Sequence, residues 1–183
     1  MRRGFKAEAE RLAGQVRDDM GLGPHKLLDI DALAHHVGAQ LRSADELTSL
    51  AKLHELETLQ PGAFSACTFD FGHRRAIVVS PLASDERQRS DASHEASHVL
   101  LKHSVKEVEQ FGGLSFFTCD PDEEQEANWL AGCLLLPREM LIRLLKRGLD
   151  AAAIAQENQV SLQMANFRLR ATGAEQQAAT WRR

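Results

Sequence analysis

Ser93-His94-Glu95-Ala96-Ser97-His98 sets two imidazoles and a carboxylate in the pattern His-Glu-x-x-His. On an α-helix, residues four apart lie about 40° apart around the axis, so His94 and His98 can aim at one metal ion. Glu95 stands roughly 100° round from His94, beside the pair. Zinc held by neutral imidazoles lowers the pKa of a bound water, and a neighbouring carboxylate can take its proton and pass it to a leaving amine. That is hydrolase chemistry, with Glu95 as the base and His94 and His98 as metal ligands.

The third ligand must come from another element. His103 lies five residues past His98, about 140° round the helix, and reads as a surface or capping residue. The stretch from Asp122 to Pro137 offers more. Projected as a helix, Trp129, Leu130, Cys133 and Leu134 share an arc with Glu126 near its middle. A carboxylate among apolar side chains needs a compensating positive charge, which zinc would supply. Glu126 is therefore the expected third ligand, with Glu123 as reserve or as acceptor for an imidazole N–H. Glu123 and Glu124 otherwise read as the acidic first turn that the helix dipole favours. Cys133 shares the Glu126 face and reads as a small buried hydrophobe.

These side chains need elements to hold them. Residues 5–20 read as a helix, broken at Gly21-Leu22-Gly23-Pro24. Asp29 or Asp31 caps a second helix from Ile30 to Val37, closed by Gly38, and Gln40-Leu41-Arg42 suits a short strand. From Ala44 to Gln60 a leucine stands at every third position from Leu47 to Leu59, which reads as a core-facing stripe. Ala63–Phe71 and Arg75–Ser80 flank Gly72-His73-Arg74 as a β-hairpin, with His73 in the turn. Ser84-Asp85 caps the helix of His94, so the hairpin can place a strand beside the metal, where a substrate peptide could add. Ser104 to Asp120 reads as a loop or flap over the site. Pro137 opens a further helix that Gly148 stops. The order is α+β.

At 183 residues and 43% hydrophobic, the chain can bury one core of ordinary size. A net charge of −4 gives no basic field for nucleic acid. No segment is apolar for long enough to cross a membrane, and the charged start is unlike a signal peptide. Cys67, Cys119 and Cys133, odd in number and widely spaced, suit a reducing cytoplasm.

Arg87-Gln88-Arg89, then His94-Glu95-x-x-His98-x-Leu100-Leu101-x-His103, then Glu124-x-Glu126-Ala127-Asn128-Trp129-Leu130-Ala131-x-x-Leu134-Leu135-Leu136-Pro137 resemble the ImmA/IrrE family of zinc metallopeptidases. Asp29–Ala34 resembles that family's N-terminal helix, and Val160-Ser161 with Arg168-Leu169 its C-terminal helices. The resemblance implies a zincin-like core and a cytoplasmic peptidase that cleaves a helix-turn-helix repressor, switching on mobile-element, stress or DNA-damage genes. It carries zinc ligation to His94, His98 and Glu126 and the role of base to Glu95. One departure is the polar Ser90-Asp91-Ala92-Ser93. Asp91, one turn before His94, either orients that imidazole through its ring N–H or is merely solvated.

The expected organisation is a zincin-like metallopeptidase domain over 1–148 followed by a C-terminal helical segment over 149–183. In that segment, two short helices joined at Asn158, the second capped by Ser161, resemble a helix-turn-helix. Arg168, Arg170, Arg182 and Arg183 barely exceed its acids, so repressor contact or plain packing is favoured over DNA binding. Ala174 to Arg183 reads as a polar, frayed end. The competing reading is a regulatory module that binds a repressor or DNA without catalysis. Against it, a structural zinc site is usually closed by four Cys or His ligands, whereas two His and a Glu leave room for water.

Overall fold

The computed structural model describes residues 1–70, 74–103, 108–111, 114–117 and 120–181. The hairpin turn with His73, and Cys119, lie outside the described residues. Ala76-Ile77-Val78-Val79 is apolar without alternation, the pattern of a strand covered on both faces. It forms most of β3 (Arg75–Val79), the middle of a three-stranded sheet ordered β1-β3-β2. β1 (Ala39–Ser43) pairs with it in parallel; β2 (Ala66–Asp70) pairs antiparallel, with Thr68 opposite Ile77. Ile77 and Val79 enter the main core, while Val78 points into a smaller cluster with Ala44 and Leu53.

Helices α1 (Phe5–Asp19) and α2 (Ile30–His36) fall where the sequence places them. Asp29, rather than Asp31, caps α2 by accepting from the Ala32 N–H. The leucine-rich stretch differs from expectation. A 3-10 turn at Ala44–Glu46 and a cap at Ser49 divide it, so that α3 covers only Leu50–Leu59. Leu53 is buried, but Leu47, Leu50, Leu56 and Leu59 are exposed. A spacing of three steps backward by roughly 60° each time, so such leucines wind round a helix instead of lining one face.

The segment expected to be a loop contains an antiparallel pair, β4 (Val108–Phe111) and β5 (Leu114–Phe117). On either side stand α4 (Asp85–Leu101) and α5 (Pro121–Leu135). α6 (Arg138–Lys146), α7 (Ala151–Glu157) and α8 (Leu162–Thr172) follow, with Asp150 and Ser161 capping the last two. The terminal residues do not fray from their start, as Ala174–Trp181 forms α9 and Ala174 is buried. One apolar cluster runs from Phe5 through Leu130 and Leu134 to Ile154, Leu169 and Ala174. The architecture is α+β, consistent with a zincin-like fold closed by C-terminal helices.

Candidate metal centre

α4 is poor in apolar residues, so its position depends on its ends and on close contact. Ser84 accepts from the Arg87 N–H, and Asp85 and Glu86 favour the positive end of the helix dipole. Its buried side consists largely of Ala92, Ser93, Ala96 and Ser97. These small side chains let α4 approach α5, where Ser93 Oγ donates to the Ala131 carbonyl at 3.5 Å. The two backbones are thereby close enough for short acidic side chains of one to meet imidazoles of the other.

His94 Nε2 and His98 Nε2 are 3.0 Å apart. Glu124 brings Oε2 to 3.2 Å from the first and Oε1 to 3.4 Å from the second. Among the described residues, these three form the group of His, Cys, Asp or Glu whose ligand atoms all lie within 4.8 Å of one another. Tetrahedral zinc with bonds of about 2.0–2.1 Å spaces its ligand atoms by about 3.3 Å, so both the donor types and their separations fit that ion.

Glu126, the expected third ligand, stands outside this group. It is buried, as its helical arc requires, but its positive partner is Arg2 and not a site on α4. The Arg2 backbone N–H donates to Glu126 Oε1 at 2.8 Å, and Arg2 Nε reaches both carboxylate oxygens at 3.0 and 3.1 Å. Burial pushes the Glu126 carboxyl upward most strongly. The hydrogen bonds and charge of Arg2, with a smaller part from His103, outweigh it and hold the group below its ordinary value. The acid that meets the imidazoles stands two residues earlier, about 200° away round α5. Its signal in the sequence was the polar and small stripe Glu124, Asn128, Ala131, at helical spacing and lining the cavity beside His94.

His103 also departs from its expected surface position. Lys102 ends α4 in the left-handed conformation at φ 55°, and the His103 N–H turns back to the His98 carbonyl at 3.0 Å. The helical projection stops applying at that residue. The His103 ring consequently packs against His98, with its side chain only 6% exposed. Asp91 takes Arg87 as partner at 2.9 Å. Burial raises its carboxyl above the ordinary value despite Arg87. His94 Nδ1 is buried with no hydrogen-bond partner among the described residues, so Asp91 does not hold that ring by a direct hydrogen bond. Glu123 and Cys133 stand outside the group, and Cys133 is a buried free thiol.

Glu95 is 5% exposed and remains outside the ligand group. Thr68 on β2 faces α4 and donates its hydroxyl to Glu95 Oε2 at 2.7 Å. The hairpin therefore holds the Glu95 carboxylate beside the candidate metal centre. A cavity of about 280 Å³ opens here, walled by His94, Glu95, Glu124, Asn128 and Asp91. A larger hollow of about 580 Å³ between α2, β1 and α4 contains none of these groups.

An α+β core that presents two imidazoles of one helix and an acid of the next, with a separate buried carboxylate alongside, is the arrangement of a metal-dependent hydrolase. The profile of the IrrE N-terminal-like domain matches residues 54–170, more than half of the chain. The chain belongs to that peptidase family and has its metallopeptidase-type function. No curated protein matches it. A protein substrate follows from the family, and no described helix is long and apolar enough to cross a membrane.

Proposed function

We propose that this chain is a cytoplasmic zinc endopeptidase that cleaves a helix-turn-helix transcriptional repressor and so relieves repression of mobile-element, stress or DNA-damage genes. His94, His98 and Glu124 hold the ion, and Glu95 is the catalytic base. The convergence of His94 Nε2, His98 Nε2 and Glu124 within hydrogen-bond reach of one another, beside Glu95, carries this reading. The choice of repressor as substrate rests on the family resemblance of the motifs.

Zinc held there supplies Lewis acidity, acidifying water and polarising the scissile carbonyl. Glu95 takes the proton of the attacking water and returns it to the leaving amine nitrogen. The Thr68 hydroxyl donates to Oε2, leaving the proton to travel through Oε1. β2 is the outer strand on this side of the sheet, and the substrate backbone runs beside it. Arg168 serves packing rather than phosphate contact, being fully buried and bonded to Glu10 and the Leu136 carbonyl.

Glu95→Gln is the decisive substitution. It should bind zinc one to one while cleavage of a helix-turn-helix repressor substrate falls by about 10²–10⁴ or more. Glu124→Ala should instead abolish stoichiometric zinc. Undiminished cleavage by Glu95→Gln would remove the mechanism, and full zinc occupancy in Glu124→Ala would remove that ligand.

A further inference from the structure

His98 offers one ring nitrogen to the metal centre and the other to a second histidine. Its Nε2 lies 3.0 Å from His94 Nε2, and its Nδ1 lies 3.0 Å from His103 Nδ1. We propose that His103 and Glu126, anchored by Arg2, form a relay that fixes the tautomer and orientation of His98 and thereby sets the zinc affinity of the centre without touching the ion. This rests on the assignment of His94, His98 and Glu124 as ligands.

The proton count selects one arrangement. A neutral imidazole carries a single N–H, and a ring whose Nε2 lone pair is committed to a metal carries it on Nδ1. His98 Nδ1–H therefore donates, and His103 Nδ1 accepts. The proton of His103 then sits on Nε2, which lies 3.8 Å from Glu126 Oε2. That separation is longer than a hydrogen bond, and the attraction there is electrostatic. Glu126 is held as the anion by the Arg2 backbone N–H at 2.8 Å and the Arg2 side chain at 3.0 and 3.1 Å.

Burial strengthens the case. The side chains of His103 and Glu126 are 6% and 5% exposed, so water screens their interaction little. A metal-bound histidine is commonly oriented by a carboxylate or carbonyl on its other nitrogen. Here an imidazole is interposed, and the carboxylate acts one ring further out. The left-handed turn at Lys102 is what makes this possible, because it returns His103 to His98. His94, whose Nδ1 has no such partner among the described residues, lacks the equivalent support.

The test measures zinc affinity by chelator competition, and visible absorption of the cobalt(II)-loaded protein, on full-length wild type, His103→Phe, His103→Gln, Glu126→Gln and, as reference, His98→Ala. His103→Phe should bind zinc about 10–100-fold more weakly while keeping the four-coordinate cobalt bands. His103→Gln retains an amide oxygen that can accept from His98 and should recover most of the affinity. Glu126→Gln should fall between, and circular dichroism should show each metal-free variant folded at the assay temperature, which separates the effect from loss of fold. Unchanged affinity in His103→Phe, alongside lost binding in His98→Ala, would overturn the relay alone. Loss of the four-coordinate cobalt bands in His103→Phe, as in His98→Ala, would make His103 a direct ligand and also overturn it. A wild-type chain with no stoichiometric zinc would overturn the ligand set and the relay together.

Discussion

Cys133 shows how burial sets the chemistry open to a single side chain. It projects from the same helix as Glu124, yet its neighbours are Arg168 and Glu10, and burial pushes its thiol up to about 12 from an ordinary 9.0. The folded chain thus holds the proton where the unfolded chain releases it. Stability from this group is fully present below pH 9 and is lost as pH rises toward 12. Relative to Cys133→Ala, wild type should lose about 1.4 kcal/mol between neutral pH and pH 10, read from urea unfolding at each pH. Parallel curves would place the thiol in water. His94, Glu95 and His98 were legible because one helical turn fixes their relation. The acid was not, because a helical projection finds the buried face but not the partner waiting there, and the partner of Glu126 is Arg2, at the other end of the chain. His103 escaped for a related reason: a left-handed lysine gives no glycine to mark the turn.

At the scale of elements, the helices, the hairpin and most caps could be read from local signals. Ser84, Asp29 and Ser161 each accept the N–H that an N-cap should, and β3 is as apolar as a central strand must be. Packing between elements was less accessible, and α5 against α8 is the clearest instance. A Cβ on Gly132 would lie 2.7 Å from Arg168 Cδ and 3.3 Å from Phe167 Cε1. Arg168 cannot yield easily, because it is tied to the Leu136 carbonyl at 3.1 Å and Glu10 at 2.6 Å. Gly132→Ala should therefore cost about 1–3 kcal/mol despite the better helix propensity of alanine. Gly14 in α1, where an added Cβ meets nothing within 4 Å, is the control. Gly14→Ala should gain about 0.5–1 kcal/mol. Denaturation midpoints of both variants decide the matter, and stabilisation by Gly132→Ala would mean that α8 does not seat on α5 as described.

For the molecule as a whole, the end of α5 is the junction on which the candidate metal centre depends. Carbonyls in the last turn of a helix have no partners within it. Here Arg17 of α1 donates to the Leu134 carbonyl at 2.7 Å, and Arg168 of α8 donates to that of Leu136. Both arginines are buried, so removing either leaves polar groups unpaired in the interior, at a cost of about 1–3 kcal/mol per group. The helix that carries Glu124 is thus clamped by one element from each end of the chain, across the expected boundary at residue 148. Trp129 reports on this junction, between the Lys6 ammonium 4.3 Å from its ring centre and the Phe167 ring 5.4 Å away. Trp181, the chain's other tryptophan, lies in α9. In single-tryptophan variants, Trp129→Phe and Trp181→Phe, urea unfolding followed by fluorescence should give coincident midpoints and slopes, the behaviour of one cooperative unit. A Trp181 transition at lower urea would instead make the terminal helices an appendage that unfolds on its own.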